Sequence, residues 1–274
     1  MAGAGALEAL LWDVDGTIAE TERDGHRVAF NRAFEDFGVP WHWDEALYGE
    51  LLHITGGRER LLHDMQGRAA APVRAAEREA LAKTLHAKKN ALYADIVGTG
   101  VIPLREGVSK LMVECRTRGV RMGITTTTSR ANVDALLRWH LGSTWAQQFA
   151  VVVCGEDVER KKPDPAVYLQ ALRQLGIAAW QAVAIEDSAP GVAAARAAGI
   201  PVIVTRSAYF EHLASEVALA IGPGLHTRRG WWPELPGAAS AGADERAPVN
   251  LGDIEAWHGE TTRASRGAAA AAAE

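Results

Sequence analysis

The stretch Ala9-Leu10-Leu11-Trp12-Asp13-Val14-Asp15-Gly16-Thr17-Ile18 places an apolar run directly before two aspartates and a Gly-Thr turn. A short apolar run that ends in a turn is typical of a buried strand. Asp13 and Asp15 then lie where that strand ends. In open α/β sheets this edge binds ligands, because the loops that leave the strands frame a crevice there. The alternative interpretation is a polar loop in which the aspartates only stabilise a turn.

From residue 102 onward, short apolar runs alternate with amphipathic helical patterns. Strands are predicted at 121–125, 151–153, 182–185, 202–204 and 217–221, and helices at 108–118, 132–141, 165–175 and 191–198. A loop over 222–246, a short strand at Val249 and a helix through Trp257 complete the pattern. Such alternation implies parallel strands with helices on both faces and right-handed crossovers. The predicted fold class is α/β, with a Rossmann-like doubly wound parallel sheet as its core.

About eighty residues between the first two strands carry helical periodicity, which is more than a crossover connection needs. The helical patterns cover 20–38, 43–52, 58–65 and 72–93. We therefore predict an inserted, all-helical cap domain at 20–100. The catalytic core would comprise 1–19 and 101–258. The mostly alanine stretch 259–274 is predicted to be a disordered tail.

Composition excludes several classes of protein. The 274 residues carry a formal charge of −5, so bulk charge does not favour a nucleic-acid or membrane partner. The two cysteines lack metal-ligand spacing and indicate reduced thiols. No run of eighteen apolar residues and no basic leader is present in this sequence, so we expect a cytoplasmic protein. As a separate expectation, the protein is a monomer or a weak dimer. A small anionic substrate would need a local basic pocket.

Three further strand ends carry polar side chains. The first leads into five consecutive hydroxyls at 125–129, which with free backbone N–H groups could bind phosphate oxygens, although one of them could simply cap a helix. The second end provides Lys162, which Pro163 holds off the helix, although such a charge run is usually solvated. The third ends in Glu186 and Asp187, two adjacent acids that repel each other unless a cation compensates them. With Asp13 they form an all-oxygen set suited to Mg²⁺.

The segment 13–18 resembles the first motif of the haloacid dehalogenase-like phosphohydrolases. The later strand ends resemble the remaining motifs in the order of that family, although the threonine run leaves the choice between Thr126 and its neighbours open. The resemblance implies Asp13 as nucleophile, Asp15 as general acid and base, and Thr126 and Lys162 as stabilisers of phosphoryl charge. It implies a Mg²⁺ ion held by Asp13, Asp15, Glu186 and Asp187, and it makes Lys162 and Thr127 candidate substrate ligands.

The predicted cap resembles more narrowly that of CbbY-type phosphatases, through 20–31 and the turn 55–60. Proteins of that type are encoded with Calvin-cycle genes, and the resemblance implies hydrolysis of xylulose 1,5-bisphosphate, an inhibitor of Rubisco, to xylulose 5-phosphate. Gly56 and Gly57 before Arg58 would offer backbone N–H groups and a guanidinium to a second phosphate. The cap residues expected to bind this sugar bisphosphate are Glu20, His26, Thr55, Gly56, Gly57 and Arg58. For Arg58 a solvated helix face, and for His26 a structural role, are the alternatives.

Other functions remain open at this point. The same motifs occur in β-phosphoglucomutase, which returns the phosphoryl group to the sugar, and in phosphatases of other small phosphate monoesters. A catalytically silent sugar-phosphate-binding regulator is a candidate of a different class. The retention of Asp13, Asp15 and Lys162 argues against it.

Overall fold

A six-stranded parallel sheet lies at the centre of the computed structural model, which describes residues 7–214, 216–235 and 244–259. Its strands are β1 (Ala9–Trp12), β2 (Arg121–Thr125), β3 (Val151–Val153), β4 (Ala182–Glu186), β5 (Val202–Thr205) and β6 (Ala220–Gly222). They are ordered β3-β2-β1-β4-β5-β6 and every neighbouring pair is parallel. The predicted fold class is confirmed. The chain reverses its direction of winding between β1 and β4, which is where such sheets bind ligands.

Five helices and one wider turn separate β1 from β2, and the last of these helices, α5 (Val108–Arg118), packs on the sheet. A π-turn at Glu22–His26 leads into α1 (Arg27–Asp36), followed by α2 (Glu45–Leu51), α3 (Gly57–Met65) and α4 (Ala75–Val97). The helix predicted over 20–38 is present from 21 to 36, but its first turn is wider than an α-helical turn. Helices α1 to α4 enclose their own buried cluster, built around Phe30, Trp43 and Leu61. A helical cap is thus present, and its exact limits at 20 and 100 stay a prediction.

The sheet is covered on both faces. One face packs against α5 (Val108–Arg118), α6 (Arg130–Leu141) and the terminal helix α9 (251–259), and the other against α7 (Ala166–Leu175) and α8 (Ala189–Ala197). In β1 the side chains alternate between the two buried clusters, with Leu10 and Trp12 in one and Ala9 and Leu11 in the other. Burial on both faces explains why the strand reads as a continuous apolar run.

The C-terminal part of the sequence prediction needs two corrections. Val249 lies in a loop, not a strand, although its backbone N–H donates to Leu225 O at 2.9 Å, and the last strand begins at Ala220 instead of 217. Trp231 lies against Gly222 of the edge strand β6 and packs on Trp257 with ring centroids 5.0 Å apart, so it covers the sheet edge. Residues 260–274 of the predicted tail lie outside the described residues. Within the described ranges, every helix is too short or too polar to cross a bilayer.

Candidate active site

Three buried carboxylates meet where β1 and β4 end. Trp12 pairs with Ile185 in the sheet, so the next residues, Asp13 and Glu186, are neighbours, and Asp187 follows. Ligand oxygens of Asp13, Glu186 and Asp187 all lie within 4.8 Å of one another. Burial, reinforced by the charge of Glu186, raises the pKa of Asp13 to about 8, and burial beside these acids raises the pKa of Asp187 well above its usual value. The raised pKa values show that the three carboxylates, when all are ionised, carry more negative charge than their surroundings neutralise.

Lys162 supplies the positive charge in this cluster. Its Nζ donates to Asp13 Oδ1 at 2.7 Å, to Glu186 Oε1 at 2.6 Å and to Thr125 O at 2.8 Å. Burial alone would lower its pKa, but the charges of Asp13 and Glu186 raise it well above the usual value, so the ammonium stays charged. One ammonium thus faces three carboxylates.

The donor set fits a hard divalent cation. Among the described residues, Glu186 Oε2 has no hydrogen-bond partner although it is buried, and such a group is costly without one. Two glycines make room for the carboxylates: a Cβ would lie 2.0 Å from Asp187 Oδ2 at Gly16 and 1.9 Å from Glu186 Oε2 at Gly191. Gly16 also has φ +84°, which side chains disfavour. Oxygen-only ligands with excess negative charge suit Mg²⁺.

Asp15 lies outside this carboxylate cluster. Its Oδ1 accepts a hydrogen bond from Thr21 Oγ1 at 2.6 Å and lies 3.0 Å from His26 Nε2. His26 Nδ1 in turn lies 2.7 Å from Lys89 Nζ. Burial alone would raise the pKa of Asp15, but the interaction with His26 and the hydrogen bond from Thr21 lower it to about 2. For the predicted metal site, Asp15 would offer its backbone carbonyl, since Oδ1 of its side chain faces Thr21 and His26.

The hydroxyl run divides between capping and the cavity. Ser129 Oγ accepts from Asn132 N at 3.3 Å and caps α6, so one hydroxyl does satisfy the helix end. Thr125 Oγ1 faces Trp12 O at 3.4 Å inside the sheet. The cavity is lined by Thr126 and Thr127, the predicted phosphate ligands, and also by Thr128 and Ser129.

A cavity of about 400 Å³ joins the sheet edge to the cap. The core contributes Asp13, Asp15, Thr126, Thr127, Lys162 and Asp187, and the cap contributes Glu22, His26, Thr55, Gly56, Gly57, Arg60, His86 and Lys89. Residues predicted from distant parts of the sequence therefore share one cavity. Lys161 Nζ, 2.8 Å from Glu59 Oε1, ties the core loop to α3 beside it.

Two predicted cap ligands lie elsewhere. Arg58 is half-exposed, with its Nη1 3.5 Å from Glu79 Oε1, and does not line the cavity. Glu20 instead pairs with Arg105, whose Nε lies 3.3 Å from Glu20 Oε1. The arginine that lines the cavity is Arg60, which is 5% exposed. This position agrees with the alternative of a solvated helix face, and binding of substrate by Arg58 stays a prediction.

The packing of the cap helices places Arg60 at the cavity, and the helical periodicity of the sequence could not have predicted this. Arg60 Nε donates to Leu51 O at 3.1 Å and Nη1 donates to Tyr48 OH at 2.8 Å. Tyr48 OH donates to Glu22 Oε2 at 2.5 Å. These partners come from separate cap segments, so only the tertiary fold brings them to the guanidinium.

Lys89 is another cavity-lining cation that the sequence prediction missed, although the sequence contained a signal for it. It lies between Leu85 and Tyr93 at four-residue spacing on α4, and all three are buried. A lysine on the apolar face of a helix is rarely buried without a partner. Burial lowers its pKa to about 8.

Known proteins resemble this chain over most of its length. The family model of the haloacid dehalogenase-like hydrolases matches residues 7–199. The plasmid-encoded protein CbbY of Cupriavidus necator is 42% identical over 253 residues, covering 92% of this chain and 97% of that protein. The crystal structure of CbbY from Rhodobacter sphaeroides in complex with phosphate has a TM-score of 0.72 at 38% identity, covering 77% of this chain and 92% of that one. A mutant of that protein in complex with xylulose-(1,5)bisphosphate has a TM-score of 0.72 at 39% identity, with the same coverage.

Proposed function

The chain belongs to the haloacid dehalogenase-like hydrolases and is a phosphatase, and on this basis we propose that it hydrolyses xylulose 1,5-bisphosphate to xylulose 5-phosphate with Mg²⁺. Hydrolysis of this ester would remove an inhibitor of Rubisco. One observation carries the choice of substrate: a single cavity is lined by Lys162 from the core and by Arg60 and Lys89 from the cap. A substrate with a phosphate at each end would place one phosphate near each group of cations.

Asp13 is the nucleophile in this proposal. A carboxylate oxygen attacks phosphorus, the bond to the sugar oxygen breaks, and an aspartyl-phosphate forms. Lys162, held at 2.7 Å from Asp13 Oδ1, orients the carboxylate and stabilises charge on the phosphoryl oxygens together with Thr126. Thr127, on the same edge of the cavity, is a further ligand for these oxygens.

Asp15 moves the proton. The low pKa of about 2 makes it a carboxylate in the free site, and the entering phosphate dianion raises that pKa because a like charge lies nearby. Protonated Asp15 then gives its proton to the leaving sugar oxygen. As a carboxylate again, it takes a proton from the water that attacks the aspartyl-phosphate, and the bond from phosphorus to Asp13 breaks. The products are xylulose 5-phosphate and inorganic phosphate.

Mg²⁺ would be held by the side chains of Asp13, Glu186 and Asp187 and by the backbone carbonyl of Asp15. Once bound, the ion supplies the positive charge that lets an anionic nucleophile approach an anionic phosphate. In the cap, His26 supports Asp15, while Thr55 and the backbone of Gly56 and Gly57 offer hydrogen bonds near the sugar.

A phosphate-release screen with Mg²⁺ tests the proposal. The panel contains xylulose 1,5-bisphosphate, ribulose 1,5-bisphosphate and sugar monophosphates, and isomer formation is followed in parallel. We expect release from xylulose 1,5-bisphosphate to have the highest kcat/KM. Isomer formation without phosphate release would identify a mutase, and binding without either reaction would identify a regulator.

Two arginines of α3 provide a matched pair for the second phosphate. Arg60→Gln should raise KM for the bisphosphate about tenfold to a hundredfold, because a charge-assisted hydrogen bond contributes about 1.5–3 kcal/mol. Arg58→Gln should leave KM unchanged, since Arg58 does not line the cavity. Arg60 also forms hydrogen bonds to Leu51 and Tyr48 inside the cap, so its loss could disturb the cap itself. A monophosphate substrate, which has no second phosphate, reports that disturbance alone. An equal rise in KM for both substrates would contradict the proposed contact.

A further inference from the structure

The turn that enters the cap has an unusual backbone. The N–H of Arg27 donates to the carbonyl of Glu22, five residues earlier, which makes 22–26 a π-turn. Such turns are rare, occur mostly as single turns inside α-helices and are frequent at functional sites. This one begins directly after Thr21, whose backbone is already helical with φ −77° and ψ −20°.

The π-turn changes which side chains share a face. In an α-helix, residues five apart point roughly 140° away from each other, because each residue turns the helix by about 100°. A π-turn has more residues per turn because its hydrogen bond joins residues five apart, so such residues lie on nearly the same face. Thr21 and His26 are five apart, and both reach the same atom, Asp15 Oδ1, at 2.6 Å and 3.0 Å. An α-helical turn would direct only one of them there.

Gly25 fits the wide turn against the core. It is buried, and a Cβ at this position would lie 2.9 Å from Tyr93 Cε2 and 3.1 Å from Ile102 Cδ1. Tyr93 in turn stacks on His26, with ring centroids 4.0 Å apart and an interplanar angle of 19°. A side chain at position 25 would therefore push Tyr93, and Tyr93 would push His26.

We propose that the π-turn at Glu22–His26, with Gly25 on its buried side, is a positioning element that sets the orientation of the Asp15 carboxyl. Both donors act on Oδ1, which leaves Oδ2 to exchange the proton with the leaving sugar oxygen and with water. Gly25 and Tyr93 are positioning residues, since they act through His26. The inference rests on the acid and base role of Asp15 in the proposed function.

Two changes at one position test it. Gly25→Ala keeps the chain length but displaces Tyr93, and deletion of Gly25 allows the turn to close as an α-helix. Gly67→Ala is the matched control, because a Cβ at this exposed cap glycine meets only Asp64 O at 3.9 Å. With xylulose 1,5-bisphosphate we expect both Gly25 variants to lower kcat about tenfold or more with little change in KM, as a misplaced catalytic group does. The control should keep the kcat of the natural sequence.

A second substrate with a better leaving group distinguishes a misplaced Asp15 from general damage to the active site. 4-Nitrophenol leaves with little help from an acid, so the pre-steady-state burst from 4-nitrophenyl phosphate reports phosphorylation of Asp13 without Asp15 as acid. We expect this burst rate to stay within about threefold of the natural sequence in Gly25→Ala, while kcat for the sugar ester falls. An equal fall on both substrates, or a rise in KM alone, would overturn the inference in favour of a structural role.

A double-mutant cycle covers the case in which the Gly25 variants fail to fold. Because Thr21 and His26 act on one oxygen, the kcat losses of Thr21→Val and His26→Gln should be non-additive by about threefold or more. Additive losses would overturn the inference. The natural sequence is assayed first: no phosphate release from any substrate would refute the proposed function itself, whereas normal release with unchanged kcat in the folded Gly25 variants would refute only the role of the π-turn.

Discussion

Binding of Mg²⁺ is expected to displace protons, so its apparent affinity should fall steeply as the pH is lowered. The perturbation is a Mg²⁺ titration of the metal-free protein at several values between about pH 6 and pH 9. Burial beside Glu186 raises the pKa of Asp13 to about 8, so below that pH the metal must compete with a proton on Asp13. Asp187 carries a raised pKa from the same causes and contributes in the same direction.

The magnitude follows from that pKa. One displaced proton weakens the apparent affinity about tenfold for each pH unit below 8, which is about a hundredfold at pH 6. The stability of the protein should depend on pH in a way that agrees with this competition. The folded pKa of Asp13 lies above the unfolded value of 3.8, so the metal-free protein loses stability as pH rises from about 4 to about 8. Stabilisation by Mg²⁺ should therefore be largest at the alkaline end.

Isothermal titration calorimetry in buffers of different ionisation heat counts the protons released, and the shift in Tm with Mg²⁺ reports stability. Asp13→Asn is the comparison variant, because it removes the proton that responds near pH 8 and should flatten the pH dependence in that range. An affinity for Mg²⁺ that is constant from pH 6 to pH 8 would refute the reasoning.

Three further predictions concern single side chains. Asp13→Asn should abolish phosphate release without lowering the free energy of unfolding, since it removes one of three crowded carboxylates; steady-state turnover and urea unfolding measure both. Lys161→Ala should raise KM a few-fold with little change in Tm, because the half-exposed pair with Glu59 links core and cap but contributes about 0–1 kcal/mol. The pKa of Lys89 is lowered to about 8 in the folded protein, so between about pH 8 and pH 10.5 the unfolded chain binds more protons than the folded one and stability rises with pH. Lys89→Met should remove this rise.

Each of these predictions has a contrary result. If Asp13→Asn keeps full turnover, Asp13 is not the nucleophile. An unchanged KM in Lys161→Ala, checked against Glu59→Gln, would remove the ion pair from any role in closing the cavity. If the stability of Lys89→Met rises with pH as much as that of the natural sequence, the rise is due to other groups.

Local chemistry made the core of the site predictable. The apolar run before Asp13 specifies a strand that is buried on both faces, and strand ends of a parallel sheet meet at one edge. Asp13, Lys162, Glu186 and Asp187 could therefore be placed together without coordinates, and the structure does bring them together.

The cap residues were harder, because packing between helices decides them. The sequence favoured Arg58, directly after the glycine turn, but the pairing with Tyr48 and Leu51 puts Arg60 in the cavity instead. Lys89 could have been found from its place on the apolar face of α4. No local sequence pattern predicted the π-turn, because its width depends on the fit of Gly25 against Tyr93 and Ile102.

By itself, the sequence determined the α/β class, the position of the helical insertion and the carboxylates that follow the strands, since periodicity and the order of polar strand ends are properties of neighbouring residues. Only the tertiary structure decided which arginine faces the cavity and how Thr21 and His26 meet on one oxygen of Asp15. The physical reason is that contacts between distant segments depend on side-chain volumes and backbone widths that no local pattern encodes.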